Sequence, residues 1–161
     1  MKLSKRDYLY FEKLLKKLDK NTSNEKKYPL LEDGFTEIDI IKGIEVLLSK
    51  KITMSNITKR FEYEFGKFIG SKYCLMVNSG SSANLLAAFA LINPLKKNRL
   101  KKGDEFIIPS LCWSTSLWPF IQAGLKPKFI DVDIDNFCLD YNLVKNNYYN
   151  GCKAIVNIHI L

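Results

Sequence analysis

Between one apolar run and the next, residues 77–84 read VNSGSSAN, and the chain then continues as the almost wholly apolar LLAAFALI. Ser79, Gly80, Ser81 and Ser82 therefore stand where a helix begins. The first N–H groups of a helix have no carbonyl a turn below them, and the helix dipole adds partial positive charge there. Glycine lets the backbone come close to a ligand, and serine adds hydroxyl donors, so a phosphate suits this turn. The same residues also suit a simpler role, with Ser79 only capping the helix. Spacing leaves both readings open. The nucleotide-loop patterns G-x-x-x-x-G-K-[ST] and G-x-G-x-x-G are absent, which turns the anion reading towards a phosphorylated cofactor.

Trp113 is the next candidate, in PSLCWSTSLWP after the apolar run EFIIP. From the end of a strand it would emerge on the same side of the sheet as the Ser-Gly-Ser turn. There it could lie flat on an aromatic cofactor ring, an offset stack adding about 0.5–1.5 kcal/mol beyond burial. Ordinary core packing explains it equally well. Trp118, deeper in the following helix, reads as a packing residue. His159, the only histidine, shares a strand face with Asn157 in IVNIHIL and reads as a hydrogen-bonded core residue rather than a catalyst. The G-x-S-x-G elbow of a serine triad is absent. The aspartates of FIDVDID read as solvent-facing or structural, and no catalytic residue is assigned.

Cys74, Cys112, Cys138 and Cys152 are far apart, without a C-x-x-C pair, so no metal site is expected. Reduced thiols fit the cytoplasm. The charged, amphipathic start does not resemble a signal peptide, and no apolar run approaches the ~18 residues that cross a bilayer. A membrane partner is not expected. The formal charge of +8 gathers mainly in the first 27 residues and in KKNRLKK. Aromatic residues do not interleave with the second cluster as a stacking platform for nucleic acid requires. Solvated faces account for both clusters, and no nucleic-acid partner is expected.

These residues need elements to position them. Tyr8, Phe11, Leu14, Leu15 and Leu18 form a helical stripe, with Ser4 and Asp7 at capping-box spacing. The polar linker DKNTSNEKKYP follows. Thr36 and Asp39 repeat the box ahead of Ile38, Ile41, Ile44 and Leu48. A third helix is expected from Ser55 or Asn56, with Phe61, Phe65, Phe68 and Ile69 on one face and Gly70 as its stop. Strands are expected at YCLMV (73–77), EFIIP (105–109), KPKFIDVD and CKAIVNIHIL, alternating with helices at 83–92, at STSLWPFIQAG and at DYNLVKNN. Pro119 is expected to kink or open its helix. The alternation implies an α/β fold, a mainly parallel sheet flanked by helices, with helices at the amino terminus.

Four segments, in order, resemble the DegT/DnrJ/StrS family of pyridoxal-phosphate-dependent nucleotide-sugar aminotransferases and dehydratases. FEYEFGKFIGSKYCLMVNSGSSAN is similar to its helix, strand and phosphate turn, and KKGDEFIIPSLCWST to its G-D-E-V-I-V-P-S strand and aromatic-bearing loop. GLKPKFIDVD and KAIVNIHIL are similar to two further strands of the family. The resemblance implies a fold-type-I large domain, in part, over residues 36–161, with residues 1–35 as an appended helix and linker. It implies pyridoxal or pyridoxamine 5'-phosphate as cofactor, with Gly80, Ser81 and Ser82 at the phosphate and Trp113 on the pyridine ring. A nucleotide-linked 4-keto-6-deoxy sugar is the implied substrate and a homodimer the implied assembly. Asn84 in NSGSSAN leans towards the branch that deoxygenates such sugars at C3. The family's pyridine-pairing Asp and its cofactor-binding Lys, or the His replacing it in dehydratases, match nothing before Leu161. The expectation is therefore a fragment that is inactive alone, with a split gene product or a non-catalytic binding module as the alternative.

Overall fold

A computed structural model describes residues 3–22, 34–147 and 151–159. The chain forms two compact units, Met1–Met76 and Val77–Leu161.

The first unit is helical. Helix α1 spans Lys5–Thr22, so the first residues expected in the linker continue the helix; the rest of the linker lies outside the described residues. Its start is the expected box: Ser4 N–H donates to Asp7 Oδ2 at 2.8 Å and Asp7 N–H to Ser4 Oγ at 3.3 Å. Helix α2, Glu37–Leu48, begins with the same reciprocal pair, Thr36 and Asp39. The Thr36 backbone N–H on the Asp39 carboxylate, joined by the Thr36 hydroxyl, holds that carboxyl below its ordinary value. Helix α3, Asn56–Ile69, is capped by Ser55 and stopped by Gly70, whose φ of 72° is left-handed. Along it Phe61 and Phe65 stack at 5.6 Å and Phe68 follows at 6.4 Å, so the expected aromatic face forms. Gly66 lets the chain fold back: a Cβ there would lie 3.0 Å from the Ser71 carbonyl oxygen, which follows the turn.

The run Tyr73–Val77 is not a strand. It pairs with no other strand among the described residues, and Tyr73 and Leu75 are exposed. Its polar backbone atoms turn instead to side chains, the Met76 N–H to Glu62 Oε1 at 2.9 Å and the Tyr73 carbonyl to Ser71 Oγ at 2.7 Å. Apolar composition favours a strand only where a neighbouring strand and a cover exist.

The second unit carries the sheet. Its elements run α4 (Gly80–Leu91), β1 (Glu105–Pro109), α5 (Ser114–Gln122), β2 (Lys126–Ile130), α6 (Tyr141–Asn147) and β3 (Cys152–Ile155). The strand order is β2-β1-β3 and both pairings are parallel, as the alternation implies. Phe106 to Pro109 are all buried because β1 is central. Pro109 ends β1 two residues beyond the last pair with β3, Ile107–Ile155, so its missing N–H comes after that ladder has stopped. Phe106 and Ile108 face Ala88 of α4, Phe120 of α5 and Ala123 at the end of α5, forming the core with Leu125. Strand β3 is shorter than expected: the Val156 N–H still reaches the Ile107 carbonyl at 2.8 Å, but residues 156–159 lie outside any strand. Leu161 lies outside the described residues. His159 is exposed and 3.3 Å from Asn157 Nδ2, not a core residue, because the sheet that would have buried it ends before it.

Candidate functional site

At the start of α4, Ser79 has extended backbone and its Oγ accepts from the Ser82 N–H at 3.2 Å. The Ala83 N–H turns to the Ser79 carbonyl at 3.0 Å. Capping is thus real, yet it does not use the turn up. The N–H groups of Gly80 and Ser81, the first two of the helix, have no carbonyl a turn below them. Gly80 and Ser81 are exposed, and the first turn of α4 holds no acidic residue. A Cβ built on Gly80 would meet nothing within 4 Å, so the space above the turn is open. Ser82 Oγ accepts from Ser79 Oγ at 3.2 Å and keeps its own proton to donate. Two backbone donors, two hydroxyls and a helix start suit a phosphate dianion.

Strand β1 ends at Pro109, and the loop after it is pinned to β2. The Ser110 N–H donates to the Ile130 carbonyl at 2.7 Å, and Ser110 Oγ to Asp131 Oδ1 at 3.3 Å. Trp113 closes this loop as the N-cap residue of α5, without capping it through its side chain. The indole is 75% exposed, so Trp113 adds little to the core. Trp118, 55% exposed, is not the packing residue expected either. Helix α5 continues through Pro119.

One hydrogen bond brings the two candidate segments together. Asn84 Nδ2, in the second turn of α4, donates to the carbonyl of Thr115, in the first turn of α5, at 3.2 Å. The amino-terminal ends of α4 and α5 are therefore neighbours, with Ser79–Ser82 leading into one and Trp113 into the other. The sequence signals for each segment were visible; the link between them was not.

Cys112, beside Trp113, is partly covered, and burial pushes its thiol up from the ordinary value. Less of it is thiolate at neutral pH. Iodoacetamide at pH 7.5 is expected to modify Cys112 several-fold more slowly than free cysteine, read by peptide mass spectrometry. Equal rates would show that burial does not protect it.

A parallel three-stranded sheet with helical crossovers, and a polar helix start beside an aromatic-bearing loop, is the fold of part of the large domain of pyridoxal-phosphate-dependent aminotransferases. The chain belongs to the DegT/DnrJ/EryC1/StrS aminotransferase family, which it matches over residues 36–161. It is 42% identical over 134 residues to GDP-4-keto-6-deoxy-D-mannose 3-dehydratase of Escherichia coli O55:H7, covering 83% of this chain and 34% of that protein. The lipopolysaccharide biosynthesis protein RfbH of Salmonella typhimurium is 40% identical over 129 residues, 80% of this chain and 29% of that one. Among solved structures, E coli GDP-4-keto-6-deoxy-D-mannose-3-dehydratase with bound hydrated PLP superposes with a TM-score of 0.71 at 43% identity, over 81% of this chain and 33% of that chain. The chain thus spans about a third of the length of these relatives.

Proposed function

We propose that this chain forms the phosphate-binding part of a pyridoxal- or pyridoxamine-phosphate enzyme that acts on a nucleotide-linked 4-keto-6-deoxy sugar. Removal of the C3 oxygen is favoured over transamination, since the Escherichia coli relative described above, 42% identical, is named as a 3-dehydratase. The observation that carries the site assignment is the Asn84–Thr115 hydrogen bond, which holds an anion-ready helix start beside an exposed indole. Bound there, the cofactor would supply an electron sink and an amino-group carrier.

The chain's own residues would do the holding. The Gly80 and Ser81 N–H groups and the Ser81 and Ser82 hydroxyls would donate to the phosphate, and Trp113 would lie against the pyridine ring. No proton transfer is assigned to these residues. Residues 1–35 are read as an appended helix and linker, and 36–161 as part of the large domain. The family resemblance supports a cytoplasmic homodimer in which other residues complete the active site. Among the described residues, no helix is long and apolar enough to cross a membrane.

The test uses the full protein. Incubated with pyridoxamine 5'-phosphate, or with pyridoxal 5'-phosphate and an amino-acid amino donor, and a nucleotide-linked 4-keto-6-deoxy sugar, it should give a product whose mass shows loss of the C3 oxygen, with the donor's amino group released as ammonia; gain of that amino group by the sugar would select transamination, and no turnover of any such sugar would sink the reading. Trp113→Ala should raise the dissociation constant for pyridoxal phosphate about three- to tenfold, the scale of one aromatic stack. The melting temperature should stay unchanged, because the indole is exposed. Unfolding of the variant would show that Trp113 packs instead.

A further inference from the structure

Pro119 and Asn84 solve one problem between them. In an α-helix the carbonyl of residue i accepts from the N–H of residue i+4, and at position 119 there is no N–H to give. Thr115 is four residues before Pro119, so its carbonyl has lost its helical donor. The Asn84 side-chain amide donates to that carbonyl at 3.2 Å, from a helix 31 residues earlier in the chain. Thr115 and Asn84 are both partly buried, where a carbonyl without a donor is costly.

We infer that Asn84 is a positioning residue: by supplying the donor that Pro119 withholds, it ties the start of α5 to the start of α4. This fixes Trp113 relative to the Ser79–Ser82 turn. The inference rests on the cofactor reading above. The proline makes the tie specific, because α5 lacks the i+4 donor that would ordinarily take up the Thr115 carbonyl, which leaves that carbonyl open to Asn84. Trp113 lies two residues before Thr115, so a shift of this first turn moves the indole directly. Asn84 itself would not touch the cofactor.

The experiment uses the full protein with Trp118→Phe as background, so that among the described tryptophans Trp113 alone reports. Pyridoxal phosphate is titrated against wild type, Asn84→Ala, Pro119→Ala and the double variant, following quenching of indole emission and the melting temperature of each. Asn84→Ala is expected to raise the dissociation constant about five- to tenfold, the scale of one hydrogen bond, and to reduce maximal quenching. In the Pro119→Ala background the helix regains its own donor, so losing Asn84 should cost about twofold or less. That non-additivity is the signature of a shared carbonyl, and a merely structural asparagine would not show it. Equal affinity and quenching in Asn84→Ala and wild type would overturn the inference while leaving the cofactor reading standing. So would equal losses in both backgrounds. Failure of the wild type to bind pyridoxal phosphate would overturn the cofactor reading itself, and the inference with it.

Discussion

Phe106→Ala is expected to destabilise the second unit by about 3–5 kcal/mol, the range for removing a fully buried phenylalanine. The ring has no exposed surface, lies in the central strand and stands 5.1 Å from the ring of Phe120. Ala88, with no exposed surface either, and Ala123 are small, so neither can swell to fill the vacated volume. Most domains hold only about 5–15 kcal/mol in total, so the loss would be a large share of what holds the sheet to α4 and α5. Ile155→Ala is the matched control, because Ile155 is 56% exposed on a neighbouring strand. It should cost under about 1 kcal/mol, as surface substitutions do. Urea unfolding of the 161-residue polypeptide, for which these exposures hold, followed by circular dichroism compares them. Similar midpoints for both variants would mean that the Phe106 face is not the core.

What the sequence made legible was local. The boxes at Ser4–Asp7 and Thr36–Asp39 and the stop at Gly70 depend on atoms within a few residues of one another, and each forms as read. The parallel sheet was legible for a related reason: strands separated by helix-sized segments can close only by crossovers. Family membership was legible because several segments match in order. Failures came where a residue's state depends on distant chain. YCLMV has the composition of a strand, but a strand is defined by its neighbour, and composition cannot supply one. IVNIHIL is apolar and reads as core around His159, whereas the strand ends at Ile155. The tie at Thr115 stood between these extremes. Pro119 announces that some carbonyl needs a donor, yet nothing in the sequence names Asn84 as that donor.

The remaining large effect concerns the solution behaviour of a polypeptide made of residues 1–161 only. Such a chain is expected to self-associate at micromolar concentration. On α3, Phe61, Phe65, Phe68 and Ile69 are 47%, 43%, 86% and 54% exposed, and they follow one another along a single helix face. On α4, Leu85, Leu86 and Phe89 are also exposed while Ala88 packs inward, because a helix apolar all round cannot hide every side chain against one sheet. Strands β2 and β3 each have β1 on one side and, among the described residues, no strand on the other. Uncovered apolar faces and open strand edges both recruit other chains, and burying about 100 Å² of apolar surface returns roughly 2.5 kcal/mol. Sedimentation velocity over a concentration series should therefore show species heavier than one chain, with enhanced fluorescence of a dye that binds apolar surface. Phe65→Glu with Phe68→Lys should shift the distribution towards monomer, since charge on that face opposes its burial. The opposite result is a monodisperse monomer with a sharp cooperative melt and no dye binding. It would mean that these faces are covered within the 161 residues, and the exposure described for α3 and α4 would be wrong.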